Sequence, residues 1–318
     1  MSKRINWEPG HLWQKLKAQS EHGLKTGALE PIDTDAEYID TGNVRFVVRV
    51  LANLVRKEKA IAQQGNTRPA NPFLPYDTDL YVTDISETHL CLLNKFNVVD
   101  HHFLIVTRAF EPQENWLTLA DFEALARCLA EVDGLGFFNG GVLAGSSQPH
   151  KHLQVVPHIE EESIERSDTS ADLLIEAAIA SAIEKEEGIW RSPTLPLRHA
   201  IVKFSAIDNN TSDHIQIAQR LLRDYQKLLS AVGIASAANW KGPQTAAYNL
   251  LCSRRWMMVV ARSQEKYAGI SINSLGFAGS LLVKDRETLC RLKEIGPLKL
   301  LQKVSYEIST TGTSVSAQ

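Results

Sequence analysis

Two histidines and a glutamine at alternate positions, His150-Lys151-His152-Leu153-Gln154, form the stretch of this 318-residue chain whose residue types and spacing point most directly to chemistry. Alternation is the period of a β-strand, so His150, His152 and Gln154 share one face and Lys151, Leu153 and Val155 the other. The strand is entered from Gly145-Ser146-Ser147-Gln148-Pro149, a small polar loop stiffened by a proline. Three chemistries compete. In the first, a half-buried strand carries histidines satisfied by ordinary neighbours. In the second, the two imidazoles share a metal ion, which needs further ligands from His89, His101 or His102. In the third, one imidazole attacks phosphorus while its other nitrogen is held as an N–H donor, commonly by a backbone carbonyl. The third also needs an amide to steady the phosphoryl oxygens and backbone N–H groups to hold a polyphosphate. Gln154 and the 145–148 loop supply both and weigh in its favour.

The elements around this stretch must position it. The chain is 44% hydrophobic and 22% charged, enough for one large or two ordinary folded units. A net charge of −3 gives no reason to expect a nucleic-acid or membrane partner. No apolar run approaches a membrane span, and Met1 to Asn6 has no secretory pattern, so the cytoplasm is the expected location. The four cysteines, Cys91, Cys128, Cys252 and Cys290, form no Cys-x-x-Cys pair, so no structural zinc is expected. Cys91, Cys128 and Cys290 read as buried small hydrophobes.

Strands are expected at 44–50, 79–83, 88–96 and 102–108, with His101 and His102 structural. Trp116 to Val132 reads as a helix with a Thr118–Asp121 capping pair, stopped by Gly134, and Phe138-Asn139-Gly140-Gly141 reads as a loop. Residues 160–187 start acidic at 160–165 and lead through Leu173-Leu174-Ile175 into an alanine-rich helix; beyond them a strand is expected at 200–204, a long amphipathic helix at 213–232, and a hairpin at 248–261. A strand at 281–284 precedes a helix capped by Asp285, and residues 309–318 read as a disordered tail. The element order suggests a duplicated α+β unit, although no residue-level repeat is visible.

Gly145 to Gln154 resembles the His-x-His-x-Gln signature of the nucleotidyltransferase branch of the histidine-triad superfamily. Within that branch it is most similar to the ATP adenylyltransferases, also called diadenosine tetraphosphate phosphorylases. Further matches are Asn71-Pro72-Phe73-Leu74-Pro75, Leu93 to Asn97 with His102 to Thr107, Asn139-Gly140-Gly141, Tyr248 to Leu251, and Ile272 to Gly279. These motifs occur in order across residues 40 to 290.

The resemblance implies an α+β fold of two histidine-triad-like halves, residues 1–165 and 166–318, each a mainly antiparallel sheet flanked by helices. It implies phosphorolysis of diadenosine tetraphosphate to ATP and ADP through an adenylyl-histidine on His152, with Gln154 at the α-phosphate. Asn94, Lys95, Asn139, Gly145, Ser146, Ser147 and Gln148 would contact nucleotide. Asn273, Ser274, Leu275 and Lys284 would contribute from the second half, and Lys57 corresponds to a family lysine near the N-terminus. His150 would orient His152 through its backbone carbonyl. Mg2+ would arrive on the substrate, since no acidic metal-ligand cluster is evident. A monomer is expected, with dinucleoside polyphosphates, ATP, ADP and inorganic phosphate as partners. The rival functions are a sugar-nucleotide uridylyl- or guanylyltransferase of the same superfamily and a non-catalytic dinucleotide sensor.

Overall fold

The computed structural model describes residues 5, 7–51, 71–158, 172–207, 213–234 and 240–308. Lys57, the 160–165 acidic run and the 309–318 tail lie outside them. Helix α1 (Leu12–Thr26) ends at Gly27, which takes the left-handed conformation a C-cap favours. Strands β1 (Thr34–Thr41) and β2 (Val44–Leu51) then form an antiparallel pair. In β2, Val44, Phe46, Val48 and Val50 are buried and the residues between them half-buried, the alternation expected of a strand with one face in a core.

Five strands of the first half follow: β3 (Tyr81–Asp84), β4 (His89–Leu93), β5 (Phe103–Thr107), β6 (Gly134–Gly140) and β7 (His152–Pro157). Helix α2 (Leu119–Glu131) lies between β5 and β6, opened by a capping box of Thr118 and Asp121. Next come β8 (Asp172–Leu173), α3 (Leu174–Ser181), β9 (Ile183–Glu186), β10 (Ile189–Arg191), β11 (His199–Lys203) and α4 (His214–Ala231). The chain finishes with β12 (Tyr248–Cys252), β13 (Trp256–Ala261), the short pair β14 (Lys266–Tyr267) and β15 (Ile270–Ser271), α5 (Ser274–Phe277), β16 (Ser280–Val283), α6 (Arg286–Ile295) and α7 (Pro297–Lys303).

Ten strands join in one antiparallel sheet, ordered β3-β4-β5-β7-β6-β12-β13-β11-β10-β9. From each outer edge to the centre the chain order is the same: three successive strands, then the fifth, then the fourth. The two fourth strands, β6 and β12, meet in the middle, with Asn139 opposite Asn249. One face of the sheet is covered along its length by α1, α2 and α4, whose Leu16, Phe122, Leu125, Leu221 and Leu228 pack on Leu153, Val155, Leu250 and Val259. Full burial of side chains this size stabilises by about 1.5–3 kcal/mol each. The opposite face differs between halves. Over β12 and β13 it is sealed by a second layer, in which Leu251, Met258 and Val260 pack against Phe46 and Val48 of β2 and Leu292 and Leu300 of α6 and α7. In that layer β2 pairs in parallel with β16 and with β8. Over β5, β6 and β7 the same face opens into a cavity of about 1120 Å³.

The structure changes several sequence expectations. Residues 138–140 are not loop but the end of a fully buried central strand. Its glycines are spacers: a Cβ on Gly136 would meet Leu125 Cδ1 at 2.7 Å, so the missing side chain lets α2 lie against the sheet. Strands β9 and β10 and helix α7 were not foreseen, and Cys290 is exposed rather than buried. Among the described residues, no helix is long and apolar enough to cross a membrane.

Candidate active site

Strand β7 carries the His-x-His-x-Gln stretch to the floor of the cavity. His152 pairs with Val106 of β5, and Gln154 pairs with Leu104 of β5 and Phe137 of β6. His152 and Gln154 face the cavity, while Leu153 and Val155 enter the helix-side core, as the alternation requires. Lys151 also points to the helix side, fully buried, with its ammonium 2.7 Å from Asp121 and 3.0 Å from Glu111. Burial alone would raise the Asp121 carboxyl, but hydrogen bonding from His89 and the charge of Lys151 hold it well below the usual carboxylate range. The helix cap, the buried lysine and the active strand are thereby tied at one carboxylate.

His152 Nδ1 donates to the backbone carbonyl of His150 at 2.8 Å. That bond leaves Nε2 with its lone pair toward the cavity, and it makes no hydrogen bond among the described residues. Burial pushes this imidazole down to about 4, opposed by the His150 carbonyl, so it is neutral at physiological pH. Its backbone is fixed on both sides by Gln113, whose Oε1 accepts from His152 N at 2.8 Å and whose Nε2 donates to His152 O at 3.2 Å.

His150 has the opposite tautomer. Asn71 Oδ1 accepts from Phe73 N at 2.9 Å, so Asn71 presents its NH2 to His150 Nδ1, also at 2.9 Å. His150 Nε2 then carries the proton and donates to Thr107 O at 2.8 Å. With both nitrogens engaged, His150 is not available for attack, and its carbonyl aims its neighbour. Among the described residues no group of three or more His, Cys, Asp or Glu is placed to hold a metal ion.

The remaining expected residues separate into groups. Asn94, Lys95, Asn139, Gly145, Ser147, Gln148, Asn273 and Leu275 line the cavity. Gly145 has a positive φ of 86°, and a Cβ there would approach the Ile272 carbonyl to 2.6 Å, so only glycine lets the 145–148 loop sit against the 272–275 segment. Ser146 is turned into its own loop, donating to Gln148 O. Asn139 and Ser274 are bonded to each other: Asn139 Oδ1 accepts from Ser274 N at 3.0 Å and from Asn249 Nδ2 at 2.9 Å. Lys95 lies beside Glu30 at 3.1 Å. Lys284 is outside the cavity lining, with a 61% exposed side chain near Asp285.

Three contributors escaped the sequence reading. Arg49, an apparently ordinary residue of β2, reaches the cavity, and its buried Nε has no partner among the described residues. Arg262 is 1% exposed and donates to the carbonyls of Ala144, Ile272, Val304, Gln264 and Glu265 and to Asn249 Oδ1. It ties both site loops to the central strand pair. Its burial lowers the guanidinium to about 10, countered by Glu265, so it remains a cation. His102, read as structural, lines the cavity. No sequence signal singles out Arg49 or Arg262, because both sit in otherwise ordinary strand contexts.

Residues 2–175 match the family model described as the Ap4A phosphorylase N-terminal domain, and residues 193–307 match the ATP adenylyltransferase C-terminal domain. The chain is 30% identical over 306 residues to diadenosine 5',5'''-P1,P4-tetraphosphate phosphorylase 2 of Saccharomyces cerevisiae, covering 89% of this chain and 90% of that one. It is 28% identical over 232 residues to the protein APA1 of the same organism, covering 66% and 65%. The crystal structure of yeast Ap4A phosphorylase Apa2 shares its fold with a TM-score of 0.72 at 24% identity, covering 96% of this chain and 97% of that one.

Proposed function

Because the chain belongs to the Ap4A phosphorylase family, we propose that it cleaves diadenosine tetraphosphate with inorganic phosphate to ATP and ADP through an adenylyl group carried on His152. In the first step His152 Nε2 forms a bond to an α-phosphorus, the bond to the bridging oxygen breaks, and ATP leaves. In the second, an oxygen of inorganic phosphate attacks that phosphorus, the P–N bond breaks, and ADP leaves with the imidazole neutral again. The Nδ1–H bond to the His150 carbonyl stabilises the positive charge that grows on the ring during attack. Gln154, on the same face two residues away, steadies the phosphoryl oxygens. ATP in the first step and the His152 imidazole in the second are good leaving groups, so positioning and charge neutralisation carry the reaction without an obligatory general acid. Arg49 and Lys95 supply cationic charge at the cavity, and a divalent ion carried by the substrate would neutralise further polyphosphate charge.

The observation that carries this reading is the bare Nε2 of a neutral His152 directed at a cavity entered by the 145–148 loop. Intact-mass measurement after mixing with diadenosine tetraphosphate in the absence of phosphate tests it. A gain of one adenylyl group, absent in His152→Ala and discharged by added phosphate, is the expected result. An unmodified wild-type protein that still releases ATP would exclude the covalent route. A uridylyl or guanylyl adduct from sugar nucleotides in preference to adenylyl would reassign the substrate.

A further inference from the structure

A second imidazole faces the cavity. His102 is 7% exposed, and its Nε2 is buried without a hydrogen-bond partner among the described residues. Its other nitrogen is committed. Asn94 Oδ1 accepts from Phe96 N at 3.3 Å, which turns the Asn94 NH2 toward His102 Nδ1 at 3.1 Å. Nδ1 is therefore an acceptor, and in the neutral ring the proton must sit on Nε2. Burial keeps the ring neutral near pH 7, with Gln154 opposing that effect and His152 adding to it. Gln154 lines the same cavity, and hydrogen bonding from its side chain favours the protonated ring, although His102 Nε2 has no partner of normal hydrogen-bond geometry among the described residues.

The geometry gives His102 a strictly directional role. Its Asn–His pair repeats the Asn71–His150 arrangement, in which an asparagine fixed by the backbone N–H two residues on sets the tautomer of an imidazole. His102 is held in the Nε2–H form while His152 is held in the Nδ1–H form. One nitrogen facing the cavity can only donate and the other can only accept.

We propose that His102 is a positioning residue for Gln154. Its Nε2–H donates to Gln154 Oε1 when substrate is bound, turning the Gln154 NH2 toward the phosphoryl oxygens of the group transferred to His152. A glutamine amide has two near-isosteric orientations, and only one presents donors to a phosphate. A fixed donor at Oε1 selects that orientation. Asn94 then acts through His102, setting which nitrogen holds the proton. This inference rests on the phosphorolysis reading for its chemistry, but its structural core is a tautomer assignment that holds with or without turnover.

Two measurements test it. In the free protein, 15N spectra of labelled histidines, assigned with His102→Phe and His152→Ala, should show His102 protonated at Nε2 and His152 at Nδ1. His102 protonated at Nδ1 would overturn the proposal whatever the enzyme does. In adenylyl transfer, His102→Phe should lower kcat about tenfold with KM little changed. His102→Gln, which places an amide N–H near the Nε2 position, should recover most of that loss. In a Gln154→Ala background His102→Phe should add no further loss. Full additivity of the two substitutions, with both variants melting like wild type, would show that His102 does not act through Gln154. Correct tautomers with no adenylyl transfer in the wild-type protein would sink the functional reading and leave the tautomer assignment standing.

Discussion

The two halves of the ten-stranded sheet repeat one strand order, yet they differ in what their helix-free faces present. On the face away from the helices, β7 presents His152 and Gln154, whereas β13 presents Met258 and Val260. The difference lies in what covers that face. Over β13 the small sheet and α6 and α7 seal it into an apolar layer. Over β7 the covering layer stands off and leaves a cavity. The second half still takes part, because Arg262 and Asn249 hold the 145–148 and 272–275 loops in register across the central strand pair. A repeated scaffold thus has one half whose face bears the cavity and another whose face is sealed and buttresses it.

The strongest test of that division exchanges its symptoms. His152→Ala should abolish adenylyl transfer while the melting curve stays close to wild type. Met258→Ala should leave kcat nearly unchanged but cost roughly 2–5 kcal/mol in denaturant unfolding, as buried large-to-small substitutions do. Loss of transfer in both variants would mean that the halves are not separable. Gln154→Ala comes next: removing a preorganised donor to the phosphoryl group should lower kcat by about 10²–10³-fold, read from single-turnover release of ATP. Smaller still is Arg262→Lys, which keeps the charge but cannot reach all the carbonyls the guanidinium serves. Urea unfolding should show about 1–3 kcal/mol of lost stability, with a raised KM as the loops loosen. Unchanged KM would confine Arg262 to holding the fold.

The mildest effect is on pH dependence. His102, His152 and His199 are each pushed by burial down to about 4 in the folded protein. Unfolded histidines titrate near 6.5, so between these values the unfolded chain binds more protons than the folded one. Stability should therefore be complete above about pH 6.5 and decline as pH falls toward 4. The acid limb of kcat/KM should lie well below 6.5 for the same reason. A flat melting temperature from pH 7 to 4.5 would mean that these rings are more hydrated than their burial indicates.

Much of the site was legible locally. Alternation placed His152 and Gln154 on one face and Leu153 on the other, and the Thr118–Asp121 cap was readable from its spacing. Strand β6 was misread because glycines that usually mark turns serve here as spacers beneath α2 and beside β7, a demand made by neighbours distant in sequence. Alternation put Lys151 on the face of Leu153 and Val155, but not that it would be buried there against Asp121, whose visible local duty was capping a helix. Arg262 and Gln113 gain their roles only from carbonyls and amides contributed by other segments.

The sequence by itself determined the His-x-His-x-Gln stretch, the loop that enters it and the family resemblance, because residue order and period are properties of the chain alone. The resemblance already singled out His152 over His150, but only the tertiary structure decided which ring nitrogen of each histidine carries the proton. Tautomers follow from which carbonyl or asparagine meets each ring nitrogen, and Asn71 and Asn94 reach His150 and His102 only after the chain has folded. Which half of a repeated sheet bears the cavity was decided in the same way, by where β2, β16 and the last two helices come to rest.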